Sequence, residues 1–152
     1  MGDLAGLLAG DGTRLITGEA STALLRRVVE SQPVMRPGRC TVYLGRPDPS
    51  EVRGNLEDLA RLLHGARRAV VVTPATTPLP PGVERRDPCL GWLAPLWFTA
   101  VLGPESAMAV VAEGESGPRD RLWLVTDPAT VRRFVSAVEA ELARPDPELL
   151  AV

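Results

Sequence analysis

WFTAVLGPESAMAVVAEGESGPRDRLWLVTDPATVRRFVSAVEAEL, residues 97–142, is the stretch whose reading decides the fold. It divides into three extended apolar runs, Trp97–Leu102, Ala107–Glu113 and Leu122–Thr126, followed by a helical pattern. Gly103-Pro104-Glu105 and the segment from Gly114 to Asp120 are short, turn-forming connections, so the three runs should form an antiparallel meander. The helix opens at Asp127-Pro128, a capping side chain followed by a residue whose fixed φ suits the first turn. Val131, Phe134, Val135, Val138 and Leu142 form its apolar seam, and Arg132, Arg133, Glu139 and Glu141 are expected in water.

Upstream, residues 1–12 suggest a short helix and Arg14–Thr17 a short strand or lead-in. Glu19–Ser31 predicts a helix with Leu24, Leu25, Val28 and Val29 on its buried stripe, Arg26, Arg27 and Glu30 outside it, and Pro33 and Pro37 ending it. Cys40–Leu44 (CTVYL) reads as a strand closed by Gly45. Ser50 is placed to cap a helix reaching about His64, with Val52, Leu56, Leu59, Ala60 and Leu63 facing inward and Gly65 as a left-handed C-cap. Ala69–Thr73 (AVVVT) is apolar on both faces, as a central strand is. The stretch 74–95 has five prolines between Pro74 and Pro88 and predicts a stiff surface connection.

These elements predict an α/β fold: one domain over residues 1–152, with a mixed sheet of about five strands flanked by helices. The strands before and after the residue 50–64 helix should be parallel and the C-terminal ones antiparallel. Pro145 should stop the last helix and leave 145–152 as a frayed tail.

All 17 basic residues are Arg, a bias of GC-rich coding, and they are balanced by 19 acidic ones to a net charge of −2. That sum argues against a nucleic-acid partner, which needs a basic stripe to displace counterions. No run approaches the roughly 18 apolar residues of a membrane span, and Asp3 stands where a signal peptide would be positive, so a cytoplasmic protein is expected. Cys40 and Cys89 form no CxxC pair and read as buried free thiols.

Catalytic patterns are absent. His64 is the single histidine and suits a helix C-terminus. There is no lysine for a P-loop or a Schiff base, no Gly-x-Ser-x-Gly elbow and no metal-ligand spacing, and Gly10-Asp11-Gly12 does not follow a strand. The expectation is therefore no enzyme, no metal and no cofactor. The aromatic residues Trp92, Trp97, Phe98 and Trp123 are the candidate ligand or partner surface; Trp97 and Phe98, being adjacent on a strand, must face opposite sides of the sheet.

The run ending in VLGP, the small-residue run SAMAVVAE and RLWLVTDPATV with its helix resemble the DICT domain, a sensory domain of diguanylate cyclases, two-component systems and transcription regulators. The resemblance extends over about Arg39 to Arg144, and the C-terminal meander is also similar to those of GAF and PAS-like sensors. It implies a non-enzymatic sensory module in bacterial transcriptional or two-component regulation. Such a module would bind a regulatory protein partner or a small hydrophobic ligand, as a homodimer. Two alternatives are a small enzyme with a site of scattered Arg, Asp and Ser residues and a scaffold docking through Pro74–Pro88.

Overall fold

The computed structural model describes residues 4–88, 91–104, 106–113 and 118–144. The meander forms as its pattern dictates: β5 (Leu96–Leu102), β6 (Ala107–Glu113) and β7 (Arg121–Val125) pair antiparallel. On the far side of β7 lies β1 (Thr13–Thr17), also antiparallel, with Leu15 opposite Trp123. β2 (Thr41–Gly45) lies antiparallel to β5, and β3 (Arg68–Val72) is parallel to β2. β4 (Glu84–Arg86) extends the sheet parallel to β3. The result is an open, mixed, seven-stranded sheet in the order β1-β7-β6-β5-β2-β3-β4; the two strands beyond the expected five are β1, for which the sequence allows a strand or a lead-in, and the three-residue β4.

Strand alternation divides the interior into two cores. Tyr43, Val70, Phe98, Ala100, Ala109 and Val111 face one side, where α5 (Pro128–Leu142) covers them with Val131, Phe134, Val135 and Val138, alongside α1 (Leu4–Leu8). Val42, Leu44, Val71, Trp97, Val101 and Val110 face the other side. There α2 (Glu19–Met35) supplies Val29, α3 (Pro49–Gly54) supplies Val52, and α4 (Leu56–His64) supplies Leu59, Leu62 and Leu63. Because side chains alternate with period two, both faces of the central strands are apolar. Phe98 meets Phe134 edge to face, centroids 5.2 Å apart and planes at 85°, a favoured aromatic geometry.

Several local expectations are corrected. α2 runs past Pro33 to Met35; Pro33 is buried, and its packing offsets the lost hydrogen bond. Its packed face carries Thr22, Val29 and Pro33, whereas Leu24 (61%) and Val28 (39%) are exposed. The helix expected to begin at Ser50 is two helices, broken at Asn55, and the cap is Asp48, whose carboxylate accepts from the Ser50 amide at 2.9 Å. Gly65 is right-handed (φ −76°); it is glycine because a Cβ there would lie 2.4 Å from the Pro33 carbonyl oxygen. Glu139 accepts from the Tyr43 hydroxyl at 2.6 Å and Glu141 from the Trp92 indole at 3.1 Å, so neither is simply solvated. The proline-rich connection includes β4. Cys40 is buried and free, whereas Cys89 and the tail 145–152 lie outside the described residues. Among the described residues no helix is long and apolar enough to cross a membrane.

Candidate functional site

At the C-terminal end of β2 the chain leaves the sheet through Gly45-Arg46-Pro47-Asp48, where Asp48 caps α3. A Cβ on Gly45 would lie 2.3 Å from Phe98 ring atoms, so only glycine lets β2 and β5 approach here. The close approach lays Arg46 against β5. Its guanidinium donates to the carbonyls of Gly45 (3.0 Å) and Phe98 (2.5 Å) and to the Thr99 hydroxyl (2.8 Å). The Thr73 hydroxyl in turn donates to the Arg46 carbonyl at 2.8 Å.

Around this buried arginine α2 and α3 place a charged quartet. Arg46 reaches Glu30 at 3.1 Å and Glu51 at 3.6 Å; Arg26 reaches Glu30 at 3.2 Å and Glu51 at 3.1 Å. Each arginine thus bridges both carboxylates, and the four charges cancel. Trp97 lies beneath, with the Arg46 guanidinium 4.1 Å and the Arg26 guanidinium 4.8 Å from its ring centroid, an arrangement favoured by the ring quadrupole. Burial pushes the Arg46 pKa down to about 10 against the opposing pull of Glu30 and Glu51, leaving it charged at neutral pH.

The quartet forms one wall of a groove of about 710 Å3 between α2 and the α3–α4 pair, a size typical of small-molecule sites. Thr22, Arg27, Asn55 and Arg119 also line it. Among the described residues two buried side-chain groups have no hydrogen-bond partner: the Thr22 hydroxyl, which lines the groove, and the Trp97 indole nitrogen, which lies beneath the two arginines and does not line it; this condition is rare enough in folded proteins to need a reason. Among the described residues, no group of three or more His, Cys, Asp or Glu side chains is placed to hold a metal.

The four aromatic residues named from sequence are not brought together. Phe98 packs on the α5 side, with Trp92 and Trp123 half-buried around that core, while Trp97 alone faces the α2 side. Trp97 and Phe98 have no exposed surface. Of the four, only Trp97 adjoins the groove, through the two arginines on its ring. Sequence reading missed Arg26, Glu30, Arg46 and Glu51. The i, i+4 spacing of Arg26 and Glu30 signalled an ion pair but not which way it faced; Arg46, directly after a strand-closing glycine, was the one readable hint.

No family model matches the chain, and no curated protein does. Among solved structures the fold is similar to TrmBL2, an archaeal chromatin protein described as showing a novel mode of DNA binding, with a TM-score of 0.50 and 11% identity. The match covers 90% of this chain and 55% of that one, so the chain spans little more than half the length of that structure. At that identity the likeness establishes the fold. It also corrects two expectations: the sensory module taking a protein partner or apolar ligand, and the exclusion of nucleic acid. The physical reasons are local. A net charge of −2 is a sum over the whole chain and says nothing about where arginines segregate, and the groove is walled by charged side chains rather than by the aromatic residues.

Proposed function

We propose that this chain is a cytoplasmic binding domain whose groove between α2 and α3–α4 takes a small, polar, anion-bearing molecule. One observation carries the reading: the Thr22 hydroxyl, in the lining of a groove of ligand size, is buried and has no partner among the described residues. The hydroxyl supplies a hydrogen bond to a polar ligand atom. Outside the neutral quartet the groove is lined by Arg27 and Arg119 together with Glu19 and Asp58; the two guanidiniums supply the donors for a carboxylate or phosphate on a molecule that also carries polar or cationic groups. The quartet holds Arg26 and Arg46 rigid, which lowers the entropy lost when a ligand docks beside them.

The test is thermal unfolding of the purified protein with millimolar carboxylates, amino acids, sugar phosphates and nucleotides. A compound of this class should raise the melting temperature of the wild type and should do so less for Arg27→Ala, Arg119→Ala and Thr22→Val. The reading fails if no compound of the panel shifts the transition, or if every shift survives all three substitutions.

A second reading, that the domain works at DNA, is favoured by the fold likeness to a DNA-binding chromatin protein. A cluster of exposed arginines at one end of the molecule, in residues 36–39 and 67, supports it independently.

A further inference from the structure

At the end of the sheet remote from Arg46, two arginine-bearing loops lie side by side. One is Arg36-Pro37-Gly38-Arg39, between α2 and β2; the other is Gly65-Ala66-Arg67, between α4 and β3. Gly38 donates to the Gly65 carbonyl at 2.8 Å and Arg67 to the Cys40 carbonyl at 2.7 Å, so the loops are joined through their backbones. The first is a tight turn: the Arg39 amide reaches the Arg36 carbonyl at 3.4 Å, and Gly38 has φ +75°. Pro-Gly with that φ is the centre of a type II turn, which brings its first and fourth residues close together; here both are arginines.

Arg36, Arg39 and Arg67 are all exposed, and none forms an ion pair among the described residues. His64, also exposed, ends α4 beside them. Residues 36–40 and 64–68 contain no carboxylate. Arg36 and Arg39 line a cleft of about 100 Å3 whose other side is formed by Gly103, Pro104, Ser106 and Met108 of β6 and the β5–β6 connection.

We infer that this end of the molecule grips the phosphate backbone of duplex nucleic acid, with Arg36 and Arg39 forking a phosphate at the cleft and Arg67 taking a neighbouring one. The inference rests on the second reading above and adds the surface and the contact chemistry. Guanidinium forks match phosphate oxygens in pairs, and a rigid turn presents two of them without ordering a loop on binding. Contacts to phosphate carry no sequence information, so this contact should be insensitive to sequence.

The experiment is fluorescence anisotropy of a short labelled duplex titrated with the protein, repeated as salt is raised. Three phosphate contacts predict a slope of log K against log salt near −2.7, or about 40-fold weaker binding on going from about 50 to about 200 mM salt. The variant Arg36→Ala/Arg39→Ala/Arg67→Ala, folded with an unchanged melting temperature, should lose binding at low salt. Arg53→Ala and Arg61→Ala, which remove exposed arginines elsewhere, should not. Binding that survives the triple substitution overturns this surface and leaves the DNA reading standing. Wild-type protein that binds no duplex at low salt overturns both. Binding to phosphatidylserine vesicles with no binding to the duplex overturns the inference in favour of a membrane surface.

Discussion

Replacing Arg46 with methionine probes the arrangement on which the groove is built. The side chain is only 3% exposed and makes three hydrogen bonds to β5 and its own strand in addition to its contacts with Glu30 and Glu51. Methionine fills much of the same volume but leaves Arg26 as the one cation on both carboxylates, with the Thr99 hydroxyl still donating to Glu30 at 3.2 Å, and leaves the Phe98 carbonyl without that donor. Breaking a buried ion pair from one side costs about 3–5 kcal/mol. Glu30 and Glu51 retain 23% and 14% side-chain exposure, so water relieves part of that cost, and we expect about 3 kcal/mol. For a chain of this length that corresponds to a fall of roughly 6–12 °C in melting temperature.

Burial holds the Arg46 pKa down at about 10 even with two carboxylates beside it, which means that desolvation outweighs the pairing. The loss in Arg46→Met should therefore come from the stranded carboxylates, not from a missing net attraction. Arg46→Met/Glu30→Gln/Glu51→Gln should then recover at least half of it, since uncharged groups cost far less to bury. Urea unfolding followed by circular dichroism measures both variants. Arg61→Ala is the control, its pair with Asp58 being 3.8 Å apart with both side chains well exposed; it should cost under about 1 kcal/mol. The reasoning is refuted if Arg46→Met lies within about 1 kcal/mol of wild type, or if the triple variant is no more stable than the single one.

Gly45→Ala should destabilise by about 1–3 kcal/mol, because its methyl group would meet the Phe98 ring and the Leu96 carbonyl; an unaltered urea midpoint would show that β2 and β5 have room to part. Tyr43→Phe removes the donor to Glu139 and should cost about 1.5 kcal/mol in the same assay, with no loss meaning that Arg86, 3.6 Å from Glu139, satisfies the carboxylate alone. The carboxyls of Asp48 and Asp127 are held below the usual range, first by hydrogen bonds from the Ser50 and Thr130 side chains and then by backbone amides; Glu84 is held down by its hydrogen bond from Arg68. Depressed carboxyl pKa values contribute stability above the unfolded value that is lost as pH falls through the folded one. Melting temperature should therefore drop on acidification below about pH 4.5, and Asp48→Asn/Asp127→Asn should flatten that drop; an identical acid profile would refute the cap assignment.

Local pattern was enough wherever one interaction dominated. The meander was legible because its runs are short and mostly apolar and the connections between them carry glycine and proline, and α5 because Asp127-Pro128 starts it and its seam keeps helical period. The parallel β2–β3 pair followed from the intervening helical segment. What the sequence by itself could not determine was the facing of α2. Leu24 and Val28 look like core and Arg26 and Glu30 like surface, yet Leu24 and Val28 are exposed while Arg26 and Glu30 are half-buried against Arg46 and Trp97. The reason is that Arg46, fixed by the sheet, needs counter-charges, and only the tertiary fold brings Glu30 and Glu51 to it from elements 16 residues before and five after in the chain. The same holds at the opposite end, where Arg36, Arg39 and Arg67 become one surface through hydrogen bonds between two loops. Periodicity records which residues share a face of one element; which faces meet, and which charges they leave unpaired, is decided by packing.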